Sequence, residues 1–148
     1  FTSGRTEIVE LLRQRSRPYL FSNALPPVIA SAALQAVKLV AQGDALRAQL
    51  RDNAAFFRER LTALGFRLVP GHHPIIPVML GDATLATSMA DRLLREGVYV
   101  VGFSFPVVPK GQARIRVQMS AAHTRAQLEQ AVGAFAKVGR EIGIIGSG

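Results

Sequence analysis

The spacing of the hydrophobic residues changes at Gly65, and this change constrains the fold more than any other feature of the chain. Before Gly65, apolar residues recur at helical spacing, as on the buried face of an amphipathic helix. After it, four short apolar runs are typical of strands: FRLVP (66–70), IIPVMLG (75–81), VYVVGF (98–103) and ARIRVQM (113–119). The chain is therefore expected to join a helical N-terminal part to a part that contains a β-sheet.

Three helices are predicted before Gly65, over Thr6–Ser16, Pro27–Gln42 and Asp44–Leu64. The segment PYLFSNALPP (18–27) separates the first two. It contains too much proline for a helix and too many apolar residues for an ordinary surface loop. We therefore expect a loop that is buried against another body.

Two further helices are predicted among the strands. One runs from Asp82 to Glu96, and the other begins at Thr124 with a capping box that places Gln127 at the third helical position. The order of elements after Gly65 is then β-β-α-β-β-α, which predicts an α+β layer with its helices on one face. Gly43, where two predicted helices meet, marks the expected domain junction.

The charge balance leaves more than one kind of partner open. The chain carries 18 Lys and Arg against 10 Asp and Glu, a net charge of +8, which is a feature of nucleic-acid-binding proteins. The arginines are scattered rather than gathered in one patch, so a sequestered anionic ligand explains the balance as well. A non-catalytic, basic α+β binding module is the alternative from another class. The absence of cysteine excludes disulfides, thiolate metal sites and a cysteine nucleophile.

The residues that most often perform catalysis stand in unpromising surroundings. His72 and His73 are neighbours in a turn without further metal ligands at suitable spacing, and His123 directly precedes a helix cap. No Ser-His-Asp order, Walker loop or dinucleotide fingerprint occurs. The three lysines show no context that would lower a pKa for nucleophilic work: Lys38, Lys110 and Lys137.

Two arginines and one loop remain as candidates. Arg114 and Arg116 are two positions apart in a predicted strand, so their side chains point to the same face. They face water if this is an exposed edge strand, or a carboxylate if the face is covered. Ser22 and Asn23 in the apolar loop likewise either satisfy their own turn or donate to a phosphate.

Three long motifs resemble the C-terminal part of the α-oxoamine synthases, which are pyridoxal-phosphate enzymes of fold type I. They are RPYLFSNALPP (17–27), HPIIPVMLGDA (73–83) and GFSFPVVPKGQARIRVQMSAAHT (102–124). Within that family they are most similar to the glycine C-acetyltransferase branch. The resemblance implies a cytoplasmic homodimer that exchanges glycine and acetyl-CoA for 2-amino-3-oxobutyrate and CoA. The alternatives within the family are 8-amino-7-oxononanoate synthase and other α-oxoamine synthases.

The resemblance also implies roles for individual residues. Arg116 matches the arginine that binds the substrate carboxylate, whereas Arg114 matches a position that relatives do not always keep as arginine. Ser22 matches a hydroxyl residue that reaches the cofactor phosphate of the partner subunit, and the backbone of Phe21 is a weaker candidate for that contact.

By the same resemblance, residues 1–43 complete the large cofactor-binding domain together with a connecting helix, and residues 44–148 form the small C-terminal domain. The lysine that forms a Schiff base with the cofactor belongs upstream of Phe1, and none of the lysines present matches it. We therefore expect this chain to be part of a longer polypeptide and to be inactive alone.

Overall fold

Helices form the N-terminal unit of the computed structural model, which describes residues 2–21 and 25–146 of the chain. This unit spans Phe1–Gln42. Its helices are α1 (Thr6–Arg15), α2 (Arg17–Leu20) and α3 (Pro27–Ala41). None of residues 2–19, 21 and 25–42 is buried, although α3 consists largely of apolar residues. A helix of this composition is ordinarily buried on most sides.

The short helix α2 corrects the expectation that residues 18–27 avoid helical structure. Pro18 lies in its first turn, where the missing backbone N–H would have no helical partner in any case. The N–H of Phe21 then donates to the carbonyl of Arg17 at 2.9 Å and closes the turn. Helix α1 ends at Arg15, one residue before the predicted end, and its N-cap is Arg5. Residues 22–24 lie outside the described residues.

The second unit spans Gly43–Gly148. Its elements are α4 (Asp44–Ala63), β1 (Ile75–Gly81), α5 (Ala83–Arg95), β2 (Val101–Phe103), β3 (Ala113–Gln118) and α6 (Arg125–Glu141). The strands form an antiparallel sheet in the order β1-β3-β2. Alternate residues of β1 and β3 join buried residues of all three helices in one core. The helices therefore cover one face of the sheet, and the predicted α+β fold is confirmed.

Local signals in the sequence explain how these helices begin and end. Gly65 adopts a φ of 94° just after α4, a conformation that favours glycine. At the start of α6 the predicted capping box is present: the Thr124 hydroxyl accepts from the N–H of Gln127, whose side chain accepts from the N–H of Thr124. Phe135 of α6 then packs edge-to-face against Phe57 and Phe66, with ring centroids 5.7 and 5.8 Å away.

The strand predicted at 66–70 is wrong, because only one isolated bridge forms there, between Leu68 and Val78. The N–H of Val69 donates to the carbonyl of Pro77, but Pro77 has no N–H to return. The carbonyl of Val69 accepts instead from the Arg58 guanidinium at 2.8 Å. Burial lowers the pKa of Arg58. Pro77 thus prevents the strand pairing from continuing, and Arg58 of α4 supplies the hydrogen bond that the Val69 carbonyl would otherwise lack.

The run predicted as a strand at 98–103 is also shorter than expected, since only Val101–Phe103 pairs with β3. The order of elements after α4 is consequently β-α-β-β-α rather than β-β-α-β-β-α.

Two glycines of α6 provide a matched test of the packing in this unit. A Cβ at Gly139 would lie 2.6 Å from the Phe66 ring, whereas a Cβ at Gly133 would meet nothing within 4 Å. We expect Gly139→Ala to lower the free energy of unfolding by about 1–3 kcal/mol through overpacking. Gly133→Ala should raise it by about 0.5–1 kcal/mol through helix propensity. Calorimetry of the full-length protein checks this, and shifts of the same sign in both variants would contradict the packing.

Candidate functional site

The face of the sheet opposite the helices carries the arginine pair. Ala113, Ile115 and Val117 of β3 are buried under the helices, so the intervening residues of the strand point the other way. Arg114 is half-buried and Arg116 is exposed on that open face. The expectation that both arginines share a face therefore agrees with the register of the sheet.

Arg116 lies in an apolar row of the open face. Its cross-strand neighbours are Pro77 on β1 and Val101 on β2. Its guanidinium carbon lies 4.4 Å from the centroid of the Phe103 ring. Among residues 2–21 and 25–146, no carboxylate or carbonyl accepts from the Arg116 guanidinium. Its donors are available to an anion.

Arg114 has partners within its own strand and turn. Its Nε donates to the backbone carbonyl of Gln112 at 3.0 Å, and one Nη donates to the Gln112 side chain at 3.1 Å. These bonds occupy the Nε–Nη edge of the guanidinium, one of the edges that can form a bidentate contact. The structure therefore distinguishes two arginines that strand spacing treats as equivalent.

The loop candidates belong to the N-terminal unit. Phe21 is exposed at the C-cap of α2, and the guanidinium carbon of Arg17 lies 5.7 Å from the centroid of its ring. Ser22 and Asn23 lie outside the described residues, so their predicted roles stay predictions.

Two of the three histidines accept hydrogen bonds from nearby backbone N–H groups. Nδ1 of His73 accepts from the N–H of Ile75 at 3.1 Å, and Nδ1 of His123 accepts from the N–H of Ser120 at 3.3 Å. His72 is exposed. No group of three or more metal-ligating side chains occurs in the part of the chain that the structure describes.

The lysines also lack the surroundings of a nucleophile. Lys38 is exposed on α3. Lys137 donates to the carboxylate of Glu96 at 2.6 Å, and this hydrogen bond raises the pKa of Lys137. A nucleophilic lysine needs a lowered pKa. The Lys110 ammonium lies 5.2 Å from the centroid of the Phe105 ring on an exposed loop.

A buried asparagine fixes the segment that follows β3. Asn53 of α4 is only 2% exposed. Its amide nitrogen donates to the carbonyls of Ser120 and His123, each at 3.0 Å, and its amide oxygen accepts from Gln49 at 3.2 Å. Asn53 was not predicted from the sequence. The available signal was an asparagine at helical spacing from the apolar residues Leu50 and Phe57.

The helices of the described ranges are all too short or too polar to cross a lipid bilayer.

Comparisons with known proteins identify the family of this chain. The sequence profile of the family described as aminotransferase class I and II matches residues 1–135. Escherichia coli 2-amino-3-ketobutyrate coenzyme A ligase is 55% identical over 145 residues, covering 98% of this chain and 36% of the relative. An 8-amino-7-oxononanoate synthase from Symbiobacterium thermophilum is 45% identical over 145 residues, covering 98% of this chain and 37% of the relative. The chain thus spans little more than a third of the length of either relative.

Solved structures agree with this relationship. A structure of SPT with PLP superposes with a TM-score of 0.89 at 33% sequence identity, covering 97% of this chain and 36% of that chain. An 8-amino-7-oxononanoate synthase from Francisella tularensis superposes with a TM-score of 0.80 at 32% identity, covering 95% and 40%. The profile match and the shared fold show that this chain belongs to the class I and II aminotransferase family, among the fold type I enzymes.

Proposed function

We propose that this chain is the C-terminal part of a pyridoxal-phosphate-dependent glycine C-acetyltransferase. In the proposed reaction, the carbonyl carbon of acetyl-CoA bonds to the α-carbon of glycine, which gives up a proton. The thioester C–S bond breaks and CoA leaves as a thiol, so the products are 2-amino-3-oxobutyrate and CoA. The same enzyme catalyses the reverse direction. The observation that supports this most is that Arg116 lies exposed on the open sheet face with no carboxylate or carbonyl partner among the described residues, in a chain 55% identical to a 2-amino-3-ketobutyrate coenzyme A ligase.

The guanidinium of Arg116 is chemically suited to bind an amino-acid substrate of a pyridoxal-phosphate enzyme. When bound, pyridoxal phosphate supplies an electron sink that makes the α-proton of glycine acidic. The guanidinium of Arg116 matches the planar geometry of the glycine carboxylate and can donate to both of its oxygens. Ser22, with the backbone of Phe21 as a second candidate, would hold the cofactor phosphate of the partner subunit. The covalent lysine would belong to the remainder of the protein.

The neighbours of Arg116 support its proposed task. Pro77 and Val101 on either side have no side-chain groups that could hydrogen-bond to the bound carboxylate or compete for it. A charge-assisted hydrogen bond strengthens as water is displaced from such apolar surroundings. Arg116 would therefore hold the carboxylate in one orientation.

The two units receive roles in the same proposal. Residues 1–43 would complete the large cofactor-binding domain, and residues 44–148 would form the small domain that closes over the substrate. The exposed apolar side chains of α3 support this assignment, because such a helix needs a covering surface. We place the enzyme in the cytoplasm as a homodimer, with Ser22 reaching across the interface.

An 8-amino-7-oxononanoate synthase activity is the second candidate, because one such enzyme is 45% identical over the same length. That product divides at its C7–C8 bond into a seven-carbon dicarboxylic acyl group and a two-carbon amine, which alanine supplies on losing carbon dioxide. The higher identity to 2-amino-3-ketobutyrate coenzyme A ligase favours glycine and an acetyl group.

A substrate panel on the full-length protein tests the proposal. The protein, loaded with pyridoxal phosphate, receives glycine or alanine with acetyl-CoA or pimeloyl-CoA, and release of the CoA thiol is measured. We expect glycine with acetyl-CoA to give the highest kcat/KM, roughly tenfold or more above the pairs in which alanine replaces glycine or pimeloyl-CoA replaces acetyl-CoA. If alanine with pimeloyl-CoA gave the highest kcat/KM, the second candidate would be favoured. No thiol release, together with salt-dependent retention on nucleic acid, would favour the basic binding module instead.

A further inference from the structure

The Phe103 ring contacts Arg116 but has no oxygen or nitrogen atom that could accept from its N–H groups. Phe103 lies directly opposite Arg114 in the β2–β3 register, one step diagonal from Arg116. The guanidinium nevertheless lies over this ring, 4.4 Å from its centroid. A contact with the ring face uses the charge of the guanidinium rather than its N–H groups.

The two arginines are thus restrained by different means. Hydrogen bonds to Gln112 restrain Arg114 and consume donors at its Nε and one Nη. The contact with the Phe103 ring restrains Arg116 without an oxygen or nitrogen acceptor. An unrestrained exposed arginine samples many rotamers, so its binding of a carboxylate would carry an entropic penalty. The ring reduces that penalty before the ligand arrives.

We propose that Phe103 is a positioning residue that preorganises the Arg116 guanidinium for the carboxylate of the amino-acid substrate. This inference rests on the proposed function, which assigns Arg116 to that carboxylate. Phe103 itself need not touch the substrate. Its effect should therefore appear in the concentration of glycine needed for saturation rather than in the rate at saturation.

The test compares three substitutions in the full-length protein. Phe103→Leu should raise the KM for glycine about three- to tenfold with kcat nearly unchanged, the range expected for loss of a cation–π contact. Phe103→Tyr retains a ring and should restore the wild-type KM. Phe56→Leu is the matched control, because it removes another aromatic ring, 3.8 Å from the Arg125 guanidinium carbon, away from the open face. Its glycine KM should equal that of the wild type.

A double variant distinguishes this inference from the proposed function. In an Arg116→Gln background, Phe103→Leu should cause no further rise in the KM for glycine, because the residue that Phe103 positions is gone. A further rise of the same size would overturn the inference, as would an unchanged KM in the single Phe103→Leu variant. If Arg116→Gln itself leaves the KM unchanged, the proposed carboxylate contact fails, whatever Phe103 does.

Discussion

Replacing Arg116 by alanine in the full-length protein is expected to raise the KM for glycine about 30- to 150-fold while the protein keeps its pyridoxal phosphate. The substitution removes a charge-assisted, bidentate contact, and such contacts contribute about 2–3 kcal/mol. Arg116 is exposed on the open face and has no hydrogen-bond partner within the described residues, so its loss should not disturb the sheet. Glycine saturation curves and the visible absorbance of the cofactor measure the two expectations separately.

Arg114→Ala is the matched control for this prediction, because it removes the same side chain from the same face. Two of its donors already bind Gln112 and restrain the side chain there, so we expect the KM for glycine to change by less than about threefold. The KM for glycine of Arg116→Lys should lie between those of Arg114→Ala and Arg116→Ala, since an ammonium keeps the charge but lacks the planar pair of N–H donors. An effect of Arg114→Ala as large as that of Arg116→Ala would contradict the assignment.

The second large effect is expected at Asn53, in the core of the C-terminal unit. Asn53→Leu should lower the free energy of unfolding of this unit by about 3 kcal/mol, because the Ser120 and His123 carbonyls lose their buried donor. Asn53→Asp should destabilise at least as much, since a carboxylate would face two carbonyl oxygens. Hydrogen exchange of α4 and α6 in the full-length protein should accelerate by about two orders of magnitude.

Gln49→Ala provides the comparison for Asn53. It deletes only the exposed end of the same network, a single bond of 3.2 Å, and should change the stability by less than about 1 kcal/mol. If amide exchange in Asn53→Leu were no faster than in Gln49→Ala, the two hydrogen bonds from Asn53 to Ser120 and His123 would not stabilise this unit as we expect.

The sequence predicted most helices because their signals are local. The capping box at Thr124 and the stop at Gly65 depend on residues within one helical turn, and both are confirmed. The strand at 66–70 could not be judged locally. Its pairing stops at one bridge because Pro77, in another element, lacks an N–H, and the carbonyl of Val69 accepts from Arg58 instead.

The candidate site shows the same division between local and distant information. Alternation along β3 was sufficient to place Arg114 and Arg116 on one face. Strand spacing could not show which of the two arginines is available to bind a carboxylate. That distinction depends on the positions of the Gln112 side chain and the Phe103 ring, which follow from the way the strands pair. Asn53 was missed for a related reason, since its partners are 67 and 70 residues away along the chain.

The central claim, that Arg116 recognises the carboxylate of the substrate, is tested most directly by a ligand that lacks that group. Calorimetric titration of the full-length protein with glycine and with glycinamide compares a carboxylate with a neutral amide on the same skeleton. We predict that the wild type binds glycine roughly 30- to 150-fold more tightly than glycinamide. The Arg116→Gln variant should bind the two alike. A variant that keeps the full wild-type preference for glycine would contradict the account.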